Sequence, residues 1–398
     1  YTELLVPTDG TYAFIFPTVV GPRYSSQSEE QAPETDQWVK NPYSPKDSPP
    51  RSRFDMTVQL STAIPLNEVE CSTHQTLVNW QNQSVAEIKL DPAEPYGGNR
   101  DFILKYRLVG KTIESGLLLY EGQDENFFLL MVQPPERVQP GQVPPREYIF
   151  VVDVSGSMHG FPLNTAKKLL ENLVSKLRPQ DRFNVLLFAG NSRVLAPASL
   201  PASPANIRQA LDLIDRQRGG GGTELYAALK RGLALPISEG TSRSMVVVTD
   251  GYITAESDVF NLIQNNLNRT NVFAFGIGSS VNHFLIEGMA KAGMGEPFVV
   301  LGPDQARATA EQFRRYIAAP VLTDIKIRYD GFDTADVEPV SIPDLFANRP
   351  VVVFGKWEGR PQGRIELTAA GGAGPYQRKI AVAETQASEA NSALPYLW

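Results

Sequence analysis

The chain has 398 residues, a net charge of -7, and 42% hydrophobic against 20% charged residues. That is long enough for more than one domain and apolar enough to bury real cores, which excludes a disordered chain. The mildly acidic balance argues against non-specific nucleic-acid binding, and a single cysteine, Cys71, excludes an intrachain disulfide and reads as a small buried hydrophobe.

Residues 1–24 predict two short strands, Thr2 to Val6 and Tyr12 to Phe16, turning at Asp9-Gly10. Residues 25–53, rich in Ser, Gln, Glu and Pro, read as a linker. Residues 54–132 are strand-like: Met56, Val58 and Leu60 alternate, as do Phe102, Leu104, Tyr106 and Leu108, and Leu117 to Tyr120 and Phe127 to Val132 are buried-type runs. The pattern predicts an antiparallel sheet, one half of a sandwich. Prolines at 134, 135, 140, 144 and 145 then mark a linker.

Residues 146–319 alternate strand and helix, which predicts a doubly wound α/β sheet. Helical spacing recurs in Ala166 to Leu177, Ile207 to Ile214, Glu224 to Leu235, Val259 to Leu267, Phe284 to Ala290 and Ala306 to Ile317. Strands are expected at Tyr148 to Val152, Phe183 to Phe188, Met245 to Val248, Val272 to Phe275 and Phe298 to Leu301, with a short edge at Val194-Leu195. Residues 320–382 return to β, and Asn391 to Trp398 reads as the start of a helix. The expected organisation is therefore α/β plus all-β, with 146–319 inserted between two sandwich halves, 54–145 and 320–398. The chain starts at Tyr1 without Met or a signal peptide, so both ends read as cut, and no apolar run approaches bilayer length.

The chemistry gathers at three places. Asp153 ends the first buried strand, and Ser155 and Ser157 follow at two-residue steps around Gly156. Gly219-Gly220-Gly221-Gly222 leads to Thr223, and Met245 to Val248 leads to Thr249-Asp250-Gly251. In an open α/β sheet ligands bind outside the carboxyl ends of the strands, so Asp153 and Asp250 are expected to meet there. Small oxygen ligands suit a hard divalent cation, magnesium first, with calcium or manganese as substitutes. No Gly-Lys-Ser/Thr follows a Gly-rich loop, which excludes a P-loop. His159 lies close to the Asp153 loop and reads as an exposed bystander.

Asp-x-Ser-x-Ser at 153–157, Thr223 in a Gly-rich loop and Thr-Asp-Gly at 249–251 resemble the metal-ion-dependent adhesion site of von Willebrand factor type A domains, matching at Asp153, Ser155, Ser157, Thr223 and Asp250. Tyr12 to Tyr24 resembles the last strand of the vault and inter-α-trypsin (VIT) domain, making 1–24 the end of a truncated domain. Pro343 to Phe354 resembles the segment after the type A domain in inter-α-trypsin inhibitor heavy chains and their bacterial relatives. The resemblance implies that Ser155 and Ser157 bind the cation directly, the two aspartates often through water, and Thr223 in either way according to state. It implies a secreted, cell-surface or periplasmic adhesion or assembly module, not an enzyme, whose cation takes a carboxylate from a protein or matrix partner or from self-assembly. Two readings rank below it. A magnesium-dependent enzyme would need an acid/base pair that does not accompany the motif. A matrix-linking protein like the heavy chains would need their Asp-Pro-His motif, and here Asp91-Pro92 is followed by Ala93. Asn82-Gln83-Ser84 and Asn268-Arg269-Thr270 match the glycosylation tripeptide.

Overall fold

The computed structural model describes residues 5, 7, 8, 10–18, 53–94, 97–138, 143–251, 253, 256–317 and 319–397. The expected strand Thr2 to Val6 and the linker 25–53 fall almost wholly outside the described residues. The chain divides into two units, one running through Val109 and taking back Glu389–Ala393, the other holding Gly110–Ser388 and the residues from Leu394 onward.

In the first unit β1 (Thr11–Phe16), β2 (Thr57–Ser61), β3 (Leu66–Cys71), β4 (Thr76–Trp80), β5 (Val85–Leu90) and β6 (Phe102–Leu108) form two three-stranded sheets, β1-β6-β3 and β2-β5-β4. Alternation along β5 and β6 buries Ala86, Ile88 and Leu90, and Phe102, Leu104 and Leu108. Two boundaries expected from sequence are corrected. Thr11–Phe16, within the stretch 1–24 expected as a domain of its own, does not stand apart from the following sheet, because β1 pairs with β6 from Thr11↔Arg107 to Phe16↔Phe102, and Tyr12 stacks on Tyr106 at 4.9 Å. The sandwich half does not begin at residue 54, because the strands up to Leu108 belong to this separate unit. A period of two specifies which face of a strand is buried and not which sheet buries it. Cys71, expected as a small buried hydrophobe, is a half-buried free thiol, its Sγ 3.8 Å from Thr73 Oγ1.

The second unit opens with β7 (Glu114–Glu121) and β8 (Asn126–Gln133). An α/β domain follows. Its strands are β9 (Arg146–Asp153), β10 (Arg182–Phe188), β11 (Ser192–Val194), β12 (Leu200–Pro201), β13 (Ser242–Thr249), β14 (Asn271–Ile277) and β15 (Phe298–Val300). Its helices are α1 (Phe161–Val174), α2 (Pro204–Asp215), α3 (Leu225–Leu233), α4 (Glu256–Gln264), α5 (His283–Ala292) and α6 (Ala306–Tyr316). The sheet order is β11-β10-β9-β13-β14-β15, with β12 also on β10, and the strands from β10 to β15 in that order run parallel. Successive residues of β14 point to opposite faces. Val272 and Ala274 pack with Leu229 of α3, Ile263 of α4 and Met289 of α5, whereas Phe273 and Phe275 meet Phe313 of α6 at 5.2 and 5.0 Å between ring centres. Both faces are covered, which is why the strands read as continuous apolar runs.

After α6 come β16 (Pro320–Asp330), β17 (Thr334–Glu338), β18 (Leu345–Phe346), β19 (Val351–Trp357), β20 (Arg364–Gly371) and β21 (Gly374–Ala381). They complete two four-stranded sheets, β18-β16-β20-β21 and β17-β19-β8-β7. Leu119, Phe128, Leu130 and Val132 from before the α/β domain share one core with Leu322, Ile325, Val353, Trp357 and Leu367 from after it. The inserted domain thus interrupts a sandwich whose β8 and β19 pair from Asn126↔Trp357 to Val132↔Val351. Removing residues 320–398 should leave the apolar face of β7 and β8 bare and cause aggregation, read by size-exclusion chromatography. A soluble, cooperatively melting 1–319 fragment would contradict the shared core.

The segment around β18 docks on the amino ends of β13 and β14. Ser242 Oγ and Asn271 Nδ2 donate to Asp344 Oδ2 at 2.6 and 2.8 Å, and the Asp344 N–H donates to Asn271 Oδ1 at 3.0 Å. Arg349 donates to the same Asn271 oxygen at 3.3 Å and lies over the rings of Phe273 and Phe346. Burial pushes the Asp344 carboxyl up to about 6, against which the bonds from Ser242 and Asn271 and the Arg349 charge act only in part, while Asp324 adds to the rise. A raised folded value means the folded state holds its proton more tightly than the unfolded chain. The contribution is full below the unfolded value of about 4 and is lost as pH rises through about 6. Acidifying from pH 7.5 to 5 should therefore stabilise the wild type more than Asp344→Asn, by roughly 1–1.5 kcal/mol. Asp153 and Glu296 are also raised by burial, so the difference between the two proteins in urea titrations is the quantity to read. Identical pH profiles would contradict the assignment.

Candidate metal centre

β9 and β13 are neighbours, in register through Val152↔Val248, so Asp153 and Thr249 finish side by side. The strand order reverses between them, since β10 lies on one side of β9 and β13 on the other. A doubly wound sheet opens a ligand crevice at such a switch point. Asp153 is fully buried there, and Thr249 Oγ1 donates to its Oδ2 at 2.6 Å while the Ser155 N–H donates to its Oδ1 at 2.8 Å. The hydroxyl oxygens of Ser155 and Ser157 are 3.2 Å apart, Ser155 buried and Ser157 exposed, so the cluster opens to solvent through Ser157.

Asp250 is 6% exposed, and its Oδ1 is a buried acceptor with no hydrogen-bond partner among the described residues. Leaving such an oxygen unpaired is costly. Burial pushes the Asp153 carboxyl up, the bonds from Ser155 and Thr249 draw it down, and the charge of Asp250 adds to the net rise. Two carboxylates thus lie near one another, one held by donors and the other with one oxygen lacking them among the described residues. Among the described residues no three His, Cys, Asp or Glu side chains converge, so a cation here would rest on two carboxylates supplemented by hydroxyls. That hard-oxygen donor set fits magnesium, calcium or manganese and not zinc.

The Gly-rich loop is stitched to the same end of the sheet. Gly220 N–H donates to Val154 O at 2.9 Å, and Gly156 N–H donates to Gly221 O at 3.0 Å. Gly219 has φ 82°, and a Cβ on it would stand 2.9 Å from the Cα of His159, so only glycine fits. Glu224 N–H donates to Ala189 O at 2.9 Å, which anchors the far side of Thr223 to the end of β10. Thr223 itself is half-buried between these two anchors. The loop thus carries Thr223 to the edge that holds Asp153, Ser155, Ser157 and Asp250. His159 is exposed, as expected.

Two supporting residues were not singled out from sequence. Thr249 was seen as part of Thr-Asp-Gly, yet its hydroxyl orients Asp153 and accepts from the Gly251 N–H at 3.0 Å. A hydroxyl closing the apolar run Met245 to Val248 was the available signal. Asn282 caps α5 through the Leu285 N–H, donates its backbone N–H to Asp250 O at 3.0 Å, and donates its side-chain amide to Gly251 O at 2.8 Å. Its capping role reads as ordinary helix entry, and nothing in the sequence places it on the Asp250 turn.

The family model of the von Willebrand factor type A domain matches residues 146–297. The von Willebrand factor A domain-containing protein 5B1 of Homo sapiens is 30% identical over 212 residues, covering 52% of this chain and 17% of that protein. Inter-alpha-trypsin inhibitor heavy chain H4 of Homo sapiens is 25% identical over 320 residues, covering 74% of this chain and 33% of that protein. The chain therefore spans between a sixth and a third of the length of these two relatives. A solved von Willebrand factor type A structure from Catenulispora acidiphila superposes with a TM-score of 0.50 at 14% identity, covering 69% of this chain and 73% of that chain, a likeness of fold alone. Together with the parallel sheet and its switch-point crevice, these matches make residues 146–297 a von Willebrand factor type A domain, in a chain similar to the 5B1 protein and the inter-alpha-trypsin inhibitor heavy chains.

Proposed function

We infer that this chain is a non-catalytic adhesion or assembly module that binds an acidic group of a partner through a divalent cation held by Asp153, Ser155, Ser157, Thr223 and Asp250. The observation that carries the reading is the buried Asp250 Oδ1, without a hydrogen-bond partner among the described residues, in the crevice where Asp153 is already held by Thr249 and Ser155. When bound, a magnesium ion would supply net positive charge and a coordination position for an incoming carboxylate. This chain's own residues do the rest. Thr249 and the Ser155 N–H keep Asp153 aimed. The bonds from the Gly220 and Glu224 N–H groups to the carbonyl oxygens of Val154 and Ala189 hold Thr223 in reach. Exposure of Ser157 leaves the crevice accessible to a large partner.

The partner is a protein or matrix molecule presenting a carboxylate, and a second copy of an acidic chain qualifies. This reading places the module outside the cytoplasm, secreted, on the cell surface or in the periplasm. Among the described residues no helix is long and apolar enough to cross a membrane. The test is capture of binding partners from the native extracellular fraction, with magnesium and with chelator, by wild type and Asp250→Ala. Capture is expected with magnesium and wild type alone. A partner retained equally in chelator and by Asp250→Ala would refute the cation-bridged reading.

A further inference from the structure

On a chain of net charge -7, the inserted domain carries a cavity of about 460 Å³ between the edge strand β11 and helix α2, lined by Arg193, Arg208 and Arg216. Elsewhere in the same unit several arginines are tied to carboxylates, among them Arg146 and Arg178 to Asp181, Arg243 to Glu147, and Arg364 to Asp330. None of the three cavity arginines has a hydrogen-bond or ion-pair partner for its side chain among the described residues. Asp212 also lines the cavity, at i+4 from Arg208 and i-4 from Arg216, where either pair could close and neither does. We propose that this groove is a second binding site, independent of the metal crevice, which receives an extended acidic peptide segment of a partner protein.

The spacing defines the peptide. Arg208 and Arg216 lie eight residues apart on α2, whose helical conformation continues through Arg216. At the helical rise this sets them roughly 12 Å apart. A single small anion cannot reach both. Residues i and i+4 of an extended peptide are separated by roughly 13 Å and face the same side. Two acidic residues at that spacing match the two guanidiniums, which receive carboxylates in a planar two-donor fork. Arg193 faces them from the β11 wall. Midway between Arg208 and Arg216 stands Asp212, which repels an acidic residue at i+2. The half-buried Val194, Leu195 and Leu213 beside it offer apolar contact instead. The preferred segment is acidic-x-apolar-x-acidic. The volume also fits, since it lies within the usual range of ligand pockets, about 300–1,000 Å³.

The discriminating experiment is fluorescence anisotropy with labelled five-residue peptides at low salt and in chelator, using the whole chain. Glu-Ser-Leu-Ser-Glu should bind the wild type, and the neutral Gln-Ser-Leu-Ser-Gln should bind at least tenfold more weakly. Arg208→Glu with Arg216→Glu should cost at least tenfold, and these exposed positions leave circular dichroism unchanged. Glu-Ser-Glu-Ser-Glu, although more acidic, should bind more weakly than the leucine peptide, and Asp212→Asn should abolish that preference. Asp250→Ala should bind all the peptides as the wild type does, so failure here and failure of the metal reading are separately visible. No binding of the leucine peptide, or tighter binding of the triply acidic one to the wild type, overturns the proposal. So does displacement of the leucine peptide by a sulfated polysaccharide at equal charge concentration, because the groove would then be reading charge alone.

Discussion

Arg243→Ala should cost about 3–5 kcal/mol of unfolding free energy, the usual penalty for removing one partner of a buried ion pair. Arg243 Nε donates to Glu147 Oε2 at 2.7 Å, and both side chains are fully buried. Burial alone would push the Glu147 carboxyl up, but the Arg243 bond and charge, with the Ser199 hydroxyl and the Ser238 N–H, hold it below its ordinary value. Without Arg243 the carboxylate keeps Ser238, whose N–H and hydroxyl donate at 3.2 and 3.0 Å, and the nearby Ser199 hydroxyl. The carbonyl oxygens of Leu235 and Pro236, which accept from the same guanidinium, lose their donors as well. Paired replacement by Arg243→Met and Glu147→Leu should recover most of the loss, because it removes the stranded charge together with its desolvation cost. Urea denaturation of the two variants reads both numbers. A loss below about 1 kcal/mol for Arg243→Ala would mean that Glu147 finds another partner or takes up a proton cheaply.

A divalent cation should stabilise the inserted domain by about 2.7 kcal/mol when free magnesium stands at a hundred times its dissociation constant. Asp250→Ala should abolish that gain. In chelator the same substitution should be neutral or mildly stabilising, because it removes the charge that adds to the rise of Asp153 and the acceptor that lacks a donor. The opposite sign with and without metal separates a ligand from an ordinary structural aspartate, whose loss would destabilise in both conditions. Thermal melts in magnesium and in chelator measure it. Equal destabilisation in both would remove Asp250 from the site.

The α/β domain was legible because its physics is local. A parallel strand covered on both faces must be apolar throughout, so Tyr148 to Val152 and Met245 to Val248 declare themselves, and each ends at a polar residue where the sheet meets solvent. Helical periodicity placed α1 through α6 within a few residues. The short β12 escaped because its two residues, Leu200 and Pro201, leave no periodic trace. The five site residues stood out as small oxygen donors at strand ends. What holds them did not. The bonds from Gly220 to Val154 and from Gly156 to Gly221 join loops more than sixty residues apart, and backbone groups carry no sequence signature. The same limit hid the docking of Asp344 and Arg349 on Asn271, since a charged residue beside Leu345-Phe346 reads as loop until its buried partner is known. The division at Val109 was hidden for a different reason. Ile88 and Leu130 both belong to strands rich in apolar residues, but one is buried within the first unit and the other in the sandwich core of the second.

The most direct measurement of the central claim is a count of bound cations. Manganese titrated into the protein and followed by the electron paramagnetic resonance of the free ion reports occupancy without any need for a partner. One manganese per chain is expected for the wild type, displaced by excess magnesium, and none at the same concentrations for Ser155→Ala with Asp250→Ala. One tightly bound manganese in both proteins would place the cation elsewhere, and none in the wild type would leave the crevice without the ion on which the proposed adhesion depends.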